Sequence, residues 1–272
     1  MPELAEVEFF RRRWSVGHGA KVTEVLVHPR ARIFRTAPAA DIVAALTGAT
    51  LVDSSAAAKQ MLFHFSGGTW LGLHLGMSGE LRVAPADHAP AKHEHLVLRQ
   101  AERSLVFSDP RMFGGLKLHR GTEPPAWWTK IPPAVLSPEF TRDAMIAFLR
   151  RRARAPIKAV LLMQERFPGV GNWMADEILW RARVRPSRRA GKLTAVEVAA
   201  LFRECRFVCR GALRYNAGVG GPLPHELNEF MPDLWLFNHR WARGGECPRC
   251  DAALRYDEVG GRTSCWCAAC QK

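Results

Sequence analysis

Apolar residues recur at three- and four-residue steps at the start of the chain, at Leu4, Val7, Phe10 and Trp14. That spacing lines one face of an α-helix and predicts a helix over residues 3–17. From about residue 20 to 120 the period changes. KVTEVLVHP, ATLVDSS, KQMLFHFSGGTWLGLHLG, HEHLVLRQ and SLVFSD are short β-rich runs broken by Gly, Pro and Ser, which predicts strands. Ser66-Gly67-Gly68 has the composition of a hairpin turn, and PAADIVAALT (38–47) of a short inserted helix. These runs predict a β-sandwich or barrel with the N-terminal helix packed on it.

A loop containing Pro124, Pro125, Trp127 and Trp128 leads into a region of helical period. SPEFTRDAMIAFLRRRA (137–153) opens on Ser137, an N-cap candidate. IKAVLLMQE, NWMADEILWRARV and TAVEVAALFRECRFVCRGALRYN continue the helical pattern, giving about four helices over 135–216. AGVGGPLPHELNEFMPDL (217–234) is interrupted by Gly and Pro and reads as a mobile loop. A short cysteine-rich tail occupies 235–272. The expected fold is therefore α+β and multidomain, with divisions at 1–125, 135–234 and 235–272.

Composition adds a partner to this picture. Of 272 residues 47% are hydrophobic, so the chain folds, and its formal charge of +13 points to a polyanion, either nucleic acid or an anionic membrane surface on charge alone. No run approaches the ~20 apolar residues of a membrane span, and FFRRRW breaks up the N-terminal hydrophobicity. A soluble cytoplasmic protein is expected, with no membrane partner.

All seven cysteines lie after residue 200. Cys247 and Cys250, then Cys267 and Cys270, form two Cys-x₂-Cys knuckles, which is the spacing of a zinc ribbon. Four thiolates close the coordination sphere, so one structural Zn²⁺ is expected, with no cofactor in any chemistry. Cys205 and Cys209, four apart on a helix, read as buried core thiols. Cys265 reads as a spectator. Arg262, between the knuckles, is either a phosphate contact or a solvated surface arginine.

PGVGNWMADEILW (168–180) sets Gly169 and Gly171 before a helix. This reads as an ordinary helix corner or as an anion site, where glycines allow close approach and the helix start offers N–H groups. Asn172 can cap the helix or bind a phosphate. Six basic residues follow between Arg181 and Lys192. At the other end, Pro2 either suits the first turn of a helix or, once Met1 is removed, offers a secondary amine that can attack carbon.

Taken together, in order and over the whole length, these motifs resemble the formamidopyrimidine-DNA glycosylase/endonuclease VIII family of base-excision repair enzymes. MPELAEVE is similar to the N-terminal signature of that family. HLGMSGEL (74–81), KHEH (92–95) and SDPRMFG (108–114) are similar to motifs of its β domain. IKAVLLMQ…GVGN (157–172) resembles its helix–two-turn–helix core, and CPRC…GRTSCWCAACQK its zinc finger.

The resemblance implies a bifunctional DNA glycosylase/AP lyase. Residues 1–125 would be a catalytic β-sandwich domain, 135–234 the helix–two-turn–helix domain and 235–272 a zinc-finger β-hairpin. Pro2 would be the nucleophile at C1′, Glu3 the acid/base beside it, Glu6 a second carboxylate and Lys59 a catalytic-site lysine holding a phosphate. His74, His93, Lys158, Asn172 and Arg262 would contact DNA. Met77, Arg111 and Phe113 would fill the space left by an everted nucleotide. The implied partner is double-stranded DNA with a damaged base or abasic site, bound by a monomer, and cleavage would run by β,δ-elimination. The alternative is a damaged-DNA-binding protein with the same fold and little or no turnover. Ala5, the loop 217–234 and LWLFNHRWARGGEC depart from the family pattern and leave lesion specificity open.

Overall fold

The structure is a computed structural model and describes residues 2–28, 32–34, 37–241 and 243–272. Met1, on whose removal the amine of Pro2 depends, lies outside the described residues. The chain divides into two compact units. One comprises Met1–Pro2 and Glu6–Ile131, the other Glu3–Ala5 and Pro132–Lys272.

The first unit follows the β-rich runs of its sequence. Helix α1 (Leu4–Trp14) is continued by a 3₁₀ turn, Ser15–Gly17. Its Val7, Phe9, Phe10 and Trp14 are buried. The Trp14 indole packs 5.0 Å from Phe63 and donates to the carbonyl of Arg82 at 3.2 Å. Then come β1 (Glu24–Val27), α2 (Ala39–Leu46), β2 (Leu51–Ala57), β3 (Gln60–Phe65), β4 (Thr69–His74), β5 (Glu80–Pro85), β6 (Glu94–Arg99), β7 (Arg103–Ser108), β8 (Gly115–Arg120) and α3 (Ala126–Thr129). The strands form two four-stranded antiparallel sheets, ordered β1-β6-β7-β5 and β2-β3-β4-β8. This is the expected sandwich. The turn from β3 to β4 closes at the Phe65–Thr69 pair, with Gly67 and Gly68 at φ +74° and +68°. Side chains disfavour that left-handed backbone, which explains the two glycines.

The second unit holds α4 (Arg142–Arg151), α5 (Ile157–Leu161), α6 (Asn172–Arg181), α7 (Ala195–Ala217), α8 (Leu236–His239) and the hairpin β9 (Arg255–Val259)–β10 (Arg262–Trp266). Helix α6 is central: every residue from Trp173 to Trp180 is buried. Its apolar side chains share a core with Phe140, Phe148, Phe167, Leu201 and Val208.

The start of α4 differs from expectation. Its N-cap is Thr141, whose hydroxyl accepts from the Ala144 N–H at 3.2 Å, and not Ser137. Ser137 instead lies in a turn ahead of the helix, its carbonyl accepting the Phe140 N–H at 3.3 Å. Helix α7 opens on a full capping box of Thr194 and Glu197 and stops at Gly218, φ +61°. Between Gly218 and Trp235 there is no helix or strand, and the segment carries internal bonds. The Glu229 carboxylate accepts from the N–H groups of His225 (2.9 Å) and Glu226 (3.2 Å), and Met231 and Trp235 are buried.

Candidate functional site

The carboxylate of Glu3 is the start of the site. Glu3 is 3% exposed and belongs to the second unit. Its Oε2 accepts from the N–H groups of Gly171 (2.9 Å) and Met174 (3.1 Å), and its Oε1 from Trp173 (3.0 Å). These are the orphan donors at the start of α6, where the helix dipole also favours negative charge. The GVGN motif is therefore an anion site, and the anion is supplied by the chain itself. Gly171 is required by space: a Cβ there would lie 2.2 Å from Glu3 Cδ. The Leu4 N–H donates to the Gly169 carbonyl at 3.0 Å, with Gly169 at φ +87°. Of the two roles open to Asn172, the cap is not the one it takes. The N-cap is Gly171, and Asn172 Nδ2 donates to the Thr263 carbonyl on β10 at 3.0 Å.

Lys158 needs a second correction. It is expected at a phosphate, but its side chain is fully buried. Its ammonium is paired with Asp176 and donates to the Asn172 carbonyl at 3.1 Å. Burying a lysine charge is tolerated only when it is paired and hydrogen-bonded, which leaves none of it for DNA. Asp176 also accepts from Arg240 at 2.5 Å and from the Cys265 N–H at 3.1 Å. It thus joins α5, α6, the segment after α8 and β10. The sequence hid this role, since an Asp inside an apolar helix carries no signal of its partners.

The hairpin brings Arg262 next to Thr263. Arg262 is exposed and opens β10, paired with Val259 across Gly260–Gly261. Cys247, Cys250, Cys267 and Cys270 converge, with all four sulfurs within 4.8 Å of one another, and this cluster could hold a metal ion. The Trp180 indole of α6 donates to Cys247 Sγ at 3.3 Å, and Gln271 Nε2 donates to the Val184 carbonyl at 2.9 Å. Cys205 and Cys209 are fully buried core thiols, as expected. Burial pushes Cys209 up to about 12, which makes it a poor nucleophile.

In the first unit, Pro2 is half-buried and Glu6 is buried in the first turn of α1. Lys59 sits in the β2–β3 turn beside Ala58, φ +55°. Its charge acts on His74 at the end of β4. The His74 pKa is lowered by burial first, then by Lys59 and Lys117. His74 Nδ1 accepts the Gly76 N–H at 3.0 Å, so the neutral ring carries its proton on Nε2. His93 is exposed, just before β6.

Met77 (42% exposed) and Phe113 (49%) stand on neighbouring loops, with the Arg111 guanidinium 4.8 Å from the Phe113 ring centre. A Cβ at Gly76 would lie 2.4 Å from the Gly114 nitrogen, so the LGMSG and RMFGG loops touch through glycine. Asp109, fully buried, ties them together. Its carboxylate accepts from Ser78 Oγ (2.7 Å), the Gly114 N–H (2.7 Å) and the Arg111 N–H (3.3 Å). Sequence reasoning missed Asp109, although an Asp before Pro with glycines close behind is a loop-building pattern.

Two family profiles cover most of the chain: the formamidopyrimidine-DNA glycosylase N-terminal domain matches residues 1–116 and the formamidopyrimidine-DNA glycosylase H2TH domain matches 131–220. Among curated relatives, the formamidopyrimidine-DNA glycosylase of Roseiflexus sp. (strain RS-1) is 36% identical over 274 residues and that of Xanthomonas campestris pv. campestris (strain B100) is 35% identical over 281. Both alignments cover 100% of each chain. Among solved structures, Lactococcus lactis Fpg (MutM) with an oxidized pyrimidine containing DNA superposes with a TM-score of 0.86 at 27% identity, covering 100% of both chains. The same protein with an abasic site containing DNA gives 0.86 at 27% identity over 99% of each chain. Family profiles, full-length relatives and fold agree: the chain belongs to the formamidopyrimidine-DNA glycosylase/endonuclease VIII family.

Proposed function

We propose that the chain is a base-excision repair enzyme, a DNA glycosylase with an attached AP-lyase activity, acting on double-stranded DNA that carries a damaged base or an abasic site. The observation that carries this reading is the carboxylate of Glu3, fixed by three N–H groups of α6 directly beside Pro2 in the chain. An α-amine titrates near ~8, so with Met1 removed Pro2 offers a usable fraction of neutral nitrogen.

Its lone pair attacks C1′, and the bond to the damaged base breaks, the base leaving with a proton. Opening of the sugar ring gives an iminium between Pro2 and C1′. The iminium charge acidifies the C2′ proton, whose loss expels the 3′-phosphate. A second elimination expels the 5′-phosphate. The iminium is then hydrolysed and the amine returns. Glu3, next to Pro2 in the chain, is assigned the exchange of protons in these steps. Lys59, His74, His93, Asn172 and Arg262 hold phosphates. Met77 and Phe113 fill the gap left by the everted nucleotide, and Arg111 pairs with the base left behind. Its stacking on Phe113 sets the guanidinium in place beforehand.

The metal in this proposal is one Zn²⁺ bound by Cys247, Cys250, Cys267 and Cys270. Tetrahedral zinc with Zn–S near ~2.3 Å places its sulfurs about 3.8 Å apart. The sulfur pairs here stand at 3.9 Å (Cys247–Cys270), 3.6 Å (Cys250–Cys267) and 3.4 Å (Cys250–Cys270). The ion supplies folding energy to the hairpin, while Arg262 makes the contact. The described helices include none long and apolar enough to cross a membrane, and we place the enzyme in the cytoplasm with the DNA.

Borohydride reduction during turnover on duplexes with 8-oxoguanine, 5-hydroxycytosine or an abasic site tests the reading. A DNA adduct on the N-terminal peptide, at Pro2, is the expected product. An adduct on Lys59 would move the nucleophile. DNA binding without any adduct would favour the non-catalytic damage-binding protein.

A further inference from the structure

Two basic segments far apart in sequence are zipped into one edge of the second unit. The first is Arg150-Arg151-Arg152-Ala153-Arg154; the second runs from Arg188 to Lys192. The Gly191 N–H donates to the Ala153 carbonyl at 2.9 Å, Ala190 to Ala155 at 2.9 Å, and Ile157 to Arg188 at 2.8 Å. Pro156 and Arg189 form an antiparallel bridge.

Only two cations of this edge are neutralised. Arg152 pairs with Glu165, and Arg188 with Glu197 at 3.2 Å. Among the described residues, Arg150, Arg151, Arg154, Arg189 and Lys192 have no carboxylate partner, and all five are exposed, Arg150 and Arg151 at the end of α4. So many unpaired like charges repel one another and weaken the fold, unless a polyanion offsets the repulsion.

The edge leads toward Arg262. It runs directly into α5, and the hairpin turn rests on that helix: a Cβ at Gly260 would lie 2.7 Å from Ala159 Cβ.

We propose that this edge is a second DNA contact, binding the phosphate backbone of the duplex beyond the lesion and extending the track begun by Arg262 and Asn172. The inference rests on the reading of the protein as a DNA enzyme. Its ligand is the backbone of the same duplex, recognised by charge and not by sequence.

The test is the triple variant Arg150→Gln/Arg154→Gln/Arg189→Gln in the full-length, metal-loaded protein. Binding is measured against salt on two lesion duplexes, one of about one helical turn and one of about four. On the long duplex the slope of log K against log salt should become shallower by about 2 to 3, since each lost phosphate contact removes about 0.9. On the short duplex, affinity and single-turnover excision should stay at wild-type values. The corresponding triple lysine variant should restore the long-duplex slope, because charge alone is needed.

An unchanged slope on the long duplex would make the edge a solvated face and overturn the proposal. Equal losses on both duplexes would overturn it by assigning the edge to the lesion contact. So would failure of the lysine variant. Excision of the short duplex by the wild type reports on the enzyme reading separately, so the two can fail independently.

Discussion

Gly171 and Glu3 show how closely the site is fitted. Gly171 has an ordinary φ of −123°, so no backbone strain requires glycine there. What requires it is the Glu3 carboxylate in the space a Cβ would take. Gly171→Ala should therefore cost about 1–3 kcal/mol by overpacking and abolish excision by displacing Glu3. Gly221→Ala is the control, because nothing lies within 4 Å of its Cβ position, and it should stay within about 0.5 kcal/mol of wild type. Urea unfolding midpoints and excision rates on the same preparations decide the matter; a stable, active Gly171→Ala protein would refute the role given to Glu3.

Glu177 makes the second prediction at this scale. It is fully buried on α6, accepting from Arg181 Nε at 2.7 Å and from the Phe237 N–H at 3.1 Å. Burial pushes its pKa from the ordinary 4.5 up to about 7, against the opposing pull of Arg181 and Phe237. The folded state thus holds this proton more tightly than the unfolded chain. The stability it contributes is present below about pH 4.5 and is lost as pH rises to about 7. Glu177→Gln removes that titration. The stability of the wild type relative to Glu177→Gln should fall by up to about 3 kcal/mol between pH 4.5 and 8. Denaturant titrations at both ends measure it, and a difference that is flat with pH would refute the shift.

Among the elements, the β9–β10 hairpin depends most on its surroundings. It is two short strands, too few to be stable alone. It is held at one end by the cysteine cluster, to which Trp180 donates, and along β10 by Asn172 and Asp176. Removing the metal should release the hairpin from α6 and carry Arg262 away with it. Chelation should shift tryptophan emission, since the Trp180 indole donates to Cys247 Sγ. DNA affinity should drop, and added Zn²⁺ should restore both. Unchanged emission and affinity in verified metal-free protein would show that packing on α6 suffices without the ion.

The elements themselves were largely legible in the sequence. Periodicity located α1, α2, the strand-rich stretch and the four helices from α4 to α7. It failed at the start of α4, where Ser137 lies in a turn and Thr141 caps the helix. It could not show the contacts of 218–235, because Glu229, Met231 and Trp235 act through hydrogen bonds and burial and not through local propensity.

For the molecule as a whole, a charge of +13 and four cysteines in knuckle spacing are properties of the chain, and they already restricted the partner to a polyanion and the tail to a metal site. Pro2, Lys59, Met77, Arg111, Phe113 and Arg262 were named from motifs, and the structure finds Met77, Phe113 and Arg262 exposed. Lys158 shows where that approach stops. A motif gives a residue its type and position but not its burial, and burial converts an expected phosphate contact into an internal ion pair.

By itself the sequence determined the elements, the strand-rich stretch, the helical block and the knuckles, because these rest on residues close in the chain, whereas the pairing of β1 with β6 and of β4 with β8 that makes two sheets is long-range. Tertiary structure alone decided that Glu3–Ala5 belong with the second unit, that the carboxylate at residue 3 caps a helix starting at residue 172, and that Asp176 and Asp109 are the hubs of their surroundings. The same holds for the joining of the two basic segments into one edge. Each of these joins groups far apart in sequence, where hydrogen bonds and charge pairs leave no periodic trace.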